Sequence, residues 1–367
     1  MRDPRVIALA RVLVGYSTAI KSDDVCVIEG GAAAEPLLQA IYEEVLKAGG
    51  HPMLNMGAAG QAAAYFRHAS DDQLDWISPM ATWAAENADA RIAVMASANT
   101  RALSEVDPER QTRRRRATEP LMSRALERAA AGDYRWAVTL FPTHAYASEA
   151  ELDLASYEDF YFGACLADEA DPVAAWRKQS EEVKRLAEWI EGREEVRIVA
   201  PGTDLTLSIA GRTFIAADGR HNMPDGEFFT GPVEDSAEGE ITFHLPATYG
   251  GRQVSGVRFG FSEGKVVEAS ADRGEEFLNQ TLDTDDGARR LGELGIGTNF
   301  GITRATGEIL LDEKIGGTVH LAVGRSYPET GGVNESAVHW DMICDLRKGG
   351  RIEVDGELLL EDGRFVV

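Results

Sequence analysis

The chain has 367 residues, of which 44% are hydrophobic, and its 61 acidic residues outnumber 37 basic ones to give a formal net charge of -24. This length is enough for two domains with ordinary hydrophobic cores. The negative charge repels phosphates and anionic lipids, so we expect no nucleic-acid and no membrane partner. The sequence lacks an apolar stretch of about 18 residues and a signal-peptide cleavage pattern, so we expect a cytoplasmic protein. The three cysteines have no CxxC spacing, which argues against a disulfide framework and a cysteine metal site.

The N-terminal half alternates between strand-like and helix-like segments. Residues 24–31 predict a strand that ends in glycines, and residues 34–50 predict a helix from their apolar spacing. Further strands are predicted at residues 51–56, 90–95 and 136–141. The glycines after the first strand lack the G-x-G-x-x-G order and a P-loop lysine, so we interpret them as a turn. The alternation predicts a mostly parallel sheet covered by helices.

A basic run at residues 113–116 precedes an amphipathic helical pattern. Its surroundings are acidic and contain no interleaved aromatic residues, so we interpret it as a solvated helix face. A nucleic-acid patch, a lid and a contact between subunits are the alternatives.

The sequence changes its period near residue 192. Residues 149–192 are strongly helical and end at a glycine, whereas short alternating segments with turn residues follow. Strands are predicted at residues 196–199, 205–209, 213–216, 241–245, 254–261, 265–269, 318–323 and 351–360, with one helix at 273–294. We therefore expect an α/β protein with an N-terminal α/β domain over residues 1–192 and a strand-rich α+β C-terminal domain over residues 193–367.

Carboxylates and imidazoles are concentrated between residues 311 and 341. This stretch contains Asp312, Glu313, His320, Glu329, Glu335, His339 and Asp341. Carboxylate and imidazole together are typical ligands of divalent transition metals. Alternate residues of a strand share a face, so His339 and Asp341 are expected to reach one ion while Trp340 points into the core.

Five segments in this order resemble the aminopeptidase T family, also called aminopeptidase S or thermophilic leucyl aminopeptidase. They are NMPDGE at 222–227, GARRLGE at 287–293, DEKIGGTVH at 312–320, GRSYPETGG at 324–332 and AVHWD at 337–341. Members of that family are dinuclear metallo-aminopeptidases. The resemblance extends over nearly the whole chain and is densest in the C-terminal half. It implies two divalent metal ions per chain, of zinc, cobalt, manganese or magnesium.

The resemblance also implies roles for individual residues. Glu293 would bridge the two ions, Glu227 and Glu313 would complete one ion, and His320 and His339 would serve the other. Asp341 would bind at the same centre. In the family the glutamate precedes the histidine by five residues, whereas Glu313 precedes His320 by seven. A metal-bound hydroxide would attack the peptide carbonyl.

Three further residues are candidates for contact with the substrate. The Tyr327 phenol is predicted to donate to the oxyanion or to a group beside the metal, with a packed turn residue as the alternative. Glu234 and Asp235 are predicted to receive the ammonium group of the substrate, with an exposed acidic turn as the alternative.

The resulting hypothesis is a cytoplasmic, homodimeric aminopeptidase that acts on peptides with a free N-terminus. One alternative is a ring-cleaving dihydroxypyridine dioxygenase, which is similar in fold to the family. Its single iron would use His320, His339 and Asp341. Glu227 and Glu293 argue against it, because one iron needs no bridging carboxylate. A catalytically silent binding protein is the other alternative.

Overall fold

The computed structural model describes residues 3–367. Its helices, in chain order, are α1 Pro4–Val12, α2 Glu35–Lys47, α3 Gln61–His68, α4 Asp71–Asp75, α5 Pro79–Asn87, α6 Pro108–Ala130, α7 His144–Glu149, α8 Leu154–Ala164, α9 Pro172–Ile190, α10 Glu275–Leu282 and α11 Ile309–Asp312.

The strands follow the same numbering. They are β1 Val25–Gly31, β2 His51–Gly57, β3 Ala90–Met95, β4 Arg135–Leu140, β5 Glu195–Ala200, β6 Thr203–Ser208, β7 Ile215–Ala217, β8 Asn222–Met223, β9 Glu227–Thr230, β10 Glu238–Thr242, β11 Ala247–Tyr249, β12 Arg252–Val254, β13 Arg258–Ser262, β14 Lys265–Ser270, β15 Leu291–Gly297, β16 Thr318–Gly324, β17 His339–Asp345, β18 Arg351–Val354, β19 Glu357–Glu361 and β20 Arg364–Phe365.

The first compact unit contains a five-stranded sheet with the order β2-β1-β3-β4-β8. Every neighbouring pair in this sheet is parallel. Cys26 and Ile28 of β1 are buried, as are Leu37 and Ile41 of α2. The predicted α/β class and the parallel sheet are therefore confirmed, because alternating strands and helices bury the apolar residues of both.

The two units do not divide at the predicted position. The first unit ends at Arg177 and regains Gly219–Pro224, while the second contains Lys178–Asp218 and Asp225–Val367. The predicted boundary at residue 192 lies just after α9, whereas the observed division lies within that helix. The chain returns to the first unit at Gly219–Pro224 because residues 222–223 form β8, which pairs with β4.

The second unit consists of antiparallel sheets around a shared hydrophobic core. One sheet has the order β14-β13-β10-β6-β5-β18-β19-β20, another β17-β16-β15-β9-β7, and β11 pairs with β12. Ile198 of the first sheet and Leu294 of the second lie in one core cluster, which also includes Trp340. The predicted strand-rich character of this half is confirmed.

One predicted helix is wrong over half its length. Residues 273–294 were expected to be helical, but the helix α10 ends at Leu282 and residues 291–297 form β15. The segment LGELGIG pairs with β16 on one side and β9 on the other, and all seven residues are buried. Because β15 has a neighbouring strand on each side, Glu293 lies in an inner strand of the sheet. Both neighbours supply hydrogen-bond partners for the backbone of β15.

The basic run lies in α6 and contacts a neighbouring helix. Arg113 forms ion pairs with Asp71 and Asp75 of α4, and Arg114 donates to the carbonyl oxygens of Leu74 and Trp76. Part of this basic face therefore packs against α4. Within residues 3–367, no helix is both long enough and apolar enough to cross a membrane.

Candidate metal centre

Four neighbouring strands of one antiparallel sheet carry five of the predicted metal ligands. Glu227 begins β9, Glu293 lies in β15 and His320 lies in β16. His339 and Asp341 are the first and third residues of β17. The order β17-β16-β15-β9-β7 puts these strands side by side. Residues far apart in the sequence therefore present ligand atoms to one place.

The first group consists of Glu227, Glu293 and His320. His320 Nε2 is 3.4 Å from Glu227 Oε2 and 3.4 Å from Glu293 Oε1. All three side chains are buried. One ligand atom from each lies within 4.8 Å of the others, so a single ion between them can contact all three.

The second group consists of Glu293, His339 and Asp341. His339 Nε2 is 3.3 Å from Glu293 Oε2 and 3.5 Å from Asp341 Oδ2. His339 and Asp341 point to the same side of β17, as their spacing predicts. Trp340 between them is buried in the core.

Glu293 belongs to both groups and directs one oxygen to each. The register between β15 and β16 shifts between Leu291 and Glu293, and a bulge of this kind re-aims a side chain. Burial acts to raise the pKa of Glu293, but hydrogen bonds from His320 and His339 outweigh it and lower the pKa to about 2. Glu293 is therefore a charged carboxylate between the two imidazoles.

Both imidazoles use their other ring nitrogen to contact a backbone carbonyl. His320 Nδ1 is 3.1 Å from the carbonyl oxygen of Glu313, and His339 Nδ1 is 2.8 Å from that of Arg325. A carbonyl oxygen only accepts, so each Nδ1 carries a proton and donates it. This contact orients each ring and leaves Nε2 directed at the carboxylates, as in metal-ligating histidines.

The carboxylates keep both imidazoles protonated when no metal is bound. Burial acts to lower the pKa of His320, but the hydrogen bond to Glu293 and the charge of Glu227 raise it to about 10. The same balance raises the pKa of His339 to about 9, with Glu293 and Asp341 as the anions. A metal ion that binds Nε2 must therefore displace a proton.

Glu227 shows that the residues fit a cation. Its Oε2 is buried and accepts no hydrogen bond from residues 3–367, and burial raises the pKa of this carboxyl while the charges of Lys314 and His320 act to lower it. An unsatisfied buried oxygen destabilises the protein unless a partner contacts it. Carboxylate oxygens and imidazole nitrogens suit zinc, cobalt or manganese, so this donor set fits a divalent metal.

Gly295 makes room for the first group. It lies opposite His320 in the pairing of β15 with β16, and a Cβ built on it would collide with the His320 ring. Glycine therefore lets the imidazole lie across β15. The sequence analysis missed this residue, because the repeated glycines of LGELGIG resemble a loop more than an inner strand.

Glu313 lies outside both groups identified within residues 3–367. Its carboxylate forms an ion pair with Lys314, and its carbonyl oxygen orients His320. Lys314 was also missed by the sequence analysis. It is 0% exposed, and its Nζ is 3.2 Å from Glu227 Oε1. Nothing in the sequence signalled its burial, because lysine side chains are usually exposed.

A known family matches nearly the whole chain. Residues 2–365 match the family described as thermophilic metalloprotease (M29). The chain belongs to the M29 family. It is therefore a metal-dependent hydrolase of peptide bonds.

Two M29 relatives illustrate the similarity. Aminopeptidase T of Thermus thermophilus is 30% identical over 305 residues, which cover 75% of this chain and 73% of that protein. Aminopeptidase 2 of Geobacillus stearothermophilus is 29% identical over 297 residues, with 71% of this chain and 70% of that protein covered. The predicted family resemblance is confirmed.

Solved structures share the fold. Wild-type AmpT from Thermus thermophilus has a TM-score of 0.84 and 26% identity, with 99% of each chain covered. The 2,5-dihydroxypyridine dioxygenase from Pseudomonas putida KT2440 has a TM-score of 0.60 and 12% identity, with 99% of this chain and 97% of that chain covered. The second likeness concerns the fold alone.

Tyr327 of this M29 chain lies beside the second group. Its ring centroid is 5.2 Å from that of His339 and 5.6 Å from that of Phe229. Burial and the charges of Glu293 and Asp341 raise the pKa of the phenol well above its usual range. The hydroxyl therefore stays protonated and available as a donor, and Tyr327 as a residue is 40% exposed.

The Glu234 carboxylate accepts two hydrogen bonds from within the chain. Its Oε2 accepts a hydrogen bond from Arg212 Nη2 at 2.6 Å, and its Oε1 accepts one from the backbone N–H of Val333 at 2.7 Å. Glu234 thus anchors the loop at Val333, and its contact with a substrate ammonium group stays a prediction. The sequence could not show this, because Arg212 comes from a distant turn. Asp235 is exposed, and its contact with substrate stays a prediction.

Proposed function

We propose that this M29 protein is an aminopeptidase with two divalent metal ions per chain. The observation that carries the proposal is the sharing of Glu293 between the two ligand groups. A carboxylate with one oxygen in each group is the ligand that a dinuclear centre requires. Glu227 and His320 would hold one ion, and His339 and Asp341 the other.

The residues around the centre have separable duties in peptide hydrolysis. When bound, the two ions would supply a hydroxide nucleophile at neutral pH and polarise the scissile carbonyl. The carbonyl oxygens of Glu313 and Arg325 orient the two imidazoles. The Tyr327 hydroxyl, protonated and beside His339, would donate to the oxygen that becomes negative in the transition state.

Peptides with a free N-terminus are the proposed substrates. Two observations support this. The two relatives compared above by sequence are aminopeptidases, and the net charge of -24 attracts a substrate ammonium group. Asp235, exposed in the turn after Glu234, remains a candidate for that contact. Zinc, cobalt, manganese and magnesium are the candidate ions.

The dioxygenase hypothesis receives no support beyond the fold. A mononuclear iron site would need His320, His339 and Asp341 in one group, yet His320 groups with Glu227 and Glu293 instead.

We also propose that two copies of the chain form a homodimer through the edge strand β2. This strand lies at the end of the parallel sheet, where one side of its backbone has no neighbouring strand among residues 3–367. Met53, Leu54 and Met56 on it are 40–48% exposed. Exposed apolar edge strands pair readily with another chain, and a second copy offers the same strand.

The aminopeptidase proposal is tested with pairs of short peptides that differ only in N-terminal acetylation. We expect release of the first residue from the free peptides, no cleavage of the acetylated ones, loss of activity on chelation and recovery with a divalent ion. Internal cleavage of acetylated peptides would make the protein an endopeptidase. Oxygen consumption with one iron bound per chain would instead support the dioxygenase hypothesis.

A further inference from the structure

Lys314 places a buried positive charge among the carboxylates of the metal centre. Its side chain is 0% exposed. Its Nζ is 3.2 Å from Glu227 Oε1 and 4.0 Å from Asp225 Oδ1, and it forms an ion pair with Glu313. A buried ammonium group is costly without such partners, so these carboxylates are the reason that it is stable there.

The two oxygens of Glu227 face different partners. Oε1 accepts a hydrogen bond from Lys314 Nζ, whereas Oε2 lies 3.4 Å from His320 Nε2 and accepts no hydrogen bond from the part of the chain that the structure describes. Lys314 therefore holds the carboxylate from one side and leaves the other oxygen directed into the first group.

The backbone around Lys314 is tied to the segment that carries Glu227. The N–H of Asn299 donates to the carbonyl oxygen of Lys314 at 3.0 Å. The Asn299 side chain donates to the carbonyl oxygen of Asp225 at 2.8 Å, and the N–H of Thr298 donates to the carbonyl oxygen of Gly226 at 2.8 Å. One short segment thus fixes the lysine relative to its partner carboxylate.

Lys314 also offsets part of the negative charge around the centre. Two divalent ions and one ammonium group balance five carboxylates, and the contacts and ligand groups of the structure supply Asp225, Glu227, Glu293, Glu313 and Asp341. Two divalent ions alone would leave the cluster with a net negative charge.

We infer that Lys314 is a positioning residue of the metal centre, which holds Glu227 and Glu313 so that Glu227 Oε2 is preformed as a ligand. This inference rests on the proposed dinuclear function. It assigns Glu313 to Lys314 as its counter-ion rather than to a metal as a ligand, in contrast to the role that the family resemblance implies.

The test titrates metal-free protein with Mn²⁺ by calorimetry. Lys314→Met keeps the length of the side chain and removes its charge. We expect one of two ions to bind about 10- to 100-fold more weakly, the usual effect of losing a group that orients a ligand, while the other keeps its affinity. Lys184→Met, a change at the ion pair with Asp218 in the same unit, is the control and should bind both ions normally.

Unchanged or tighter binding of both ions by Lys314→Met would overturn the inference, because loss of positive charge alone attracts cations. Glu313→Gln decides the matter if Lys314→Met does not fold. It keeps an acceptor for Lys314, so both ions should bind within 10-fold of wild type, whereas loss of one ion would make Glu313 a ligand. If the wild-type protein binds a single ion, the dinuclear proposal is refuted. Weaker binding of that ion by Lys314→Met would still support the positioning role of Lys314.

Discussion

At the scale of single residues, the protonated imidazoles predict how metal affinity depends on pH. The pKa values of about 10 for His320 and about 9 for His339 lie above the ordinary value of 6.5. Metal and proton compete for Nε2, so affinity should rise with pH through neutrality and up to about pH 10. An unperturbed histidine would stop competing near pH 6.5.

Calorimetric titration in buffers of different ionisation enthalpy measures this proton release. We expect about one proton released per imidazole at pH 7. Affinity that is constant above pH 7, with no released protons, would show that the imidazoles are neutral in the metal-free protein.

Tyr327→Phe separates the phenol from the metal ligands. The hydroxyl is the only group removed, so turnover should fall by about 100-fold or more if it stabilises the oxyanion. Metal content should not change, because Tyr327 belongs to neither ligand group. Tyr42→Phe, at an exposed position in the other unit, is the control. Turnover equal to that of wild type would make Tyr327 a packing residue.

At the scale of the strands, Gly295 predicts a coupling between sheet packing and metal binding. A methyl group in Gly295→Ala would meet the His320 ring across β15. Overpacking of this kind costs about 1–3 kcal/mol of unfolding free energy, and displacement of the ring should also weaken one ion. Urea unfolding and metal titration measure both effects.

Gly15→Ala is the matched control for this change, because a Cβ there would meet no atom within 4 Å. It should not destabilise the protein, because alanine is favoured over glycine in a helical segment, and it should leave metal binding unchanged. If Gly295→Ala behaves like the control, the glycine is not what admits the imidazole.

At the scale of the whole molecule, the exposed edge of β2 predicts the oligomeric state. Lysines in place of Met53 and Leu54 add charge to an edge that a second copy would cover, so the double variant should be monomeric while the wild type is dimeric. Light scattering after size-exclusion chromatography measures the mass. Val267→Lys, on the exposed edge strand β14, should stay dimeric. A wild-type monomer, or a dimeric double variant, would contradict this interface.

The sequence predicted what depends on local pattern and missed what depends on distant contacts. The strand period put His339 and Asp341 on one face, and the alternating elements predicted the parallel sheet. The sequence predicts a helix at Glu293, because the glycines of the segment LGELGIG obscure its strand pattern. That segment is a strand because β16 and β9 pair with it on its two sides. The burial of Lys314 and the contact of Glu234 with Arg212 depend on residues that only the folded chain brings together.

The central claim is that Glu293 joins two metal ions, and metal analysis of the purified protein tests it most directly. Inductively coupled plasma mass spectrometry would be applied to wild type, to Glu293→Gln and to the control Glu353→Gln, which alters an ion pair with Arg351 away from the ligand groups. We expect two divalent ions per chain in the wild type and the control, with loss of both metal occupancy and activity in Glu293→Gln. Two ions and near-normal turnover in Glu293→Gln would contradict it.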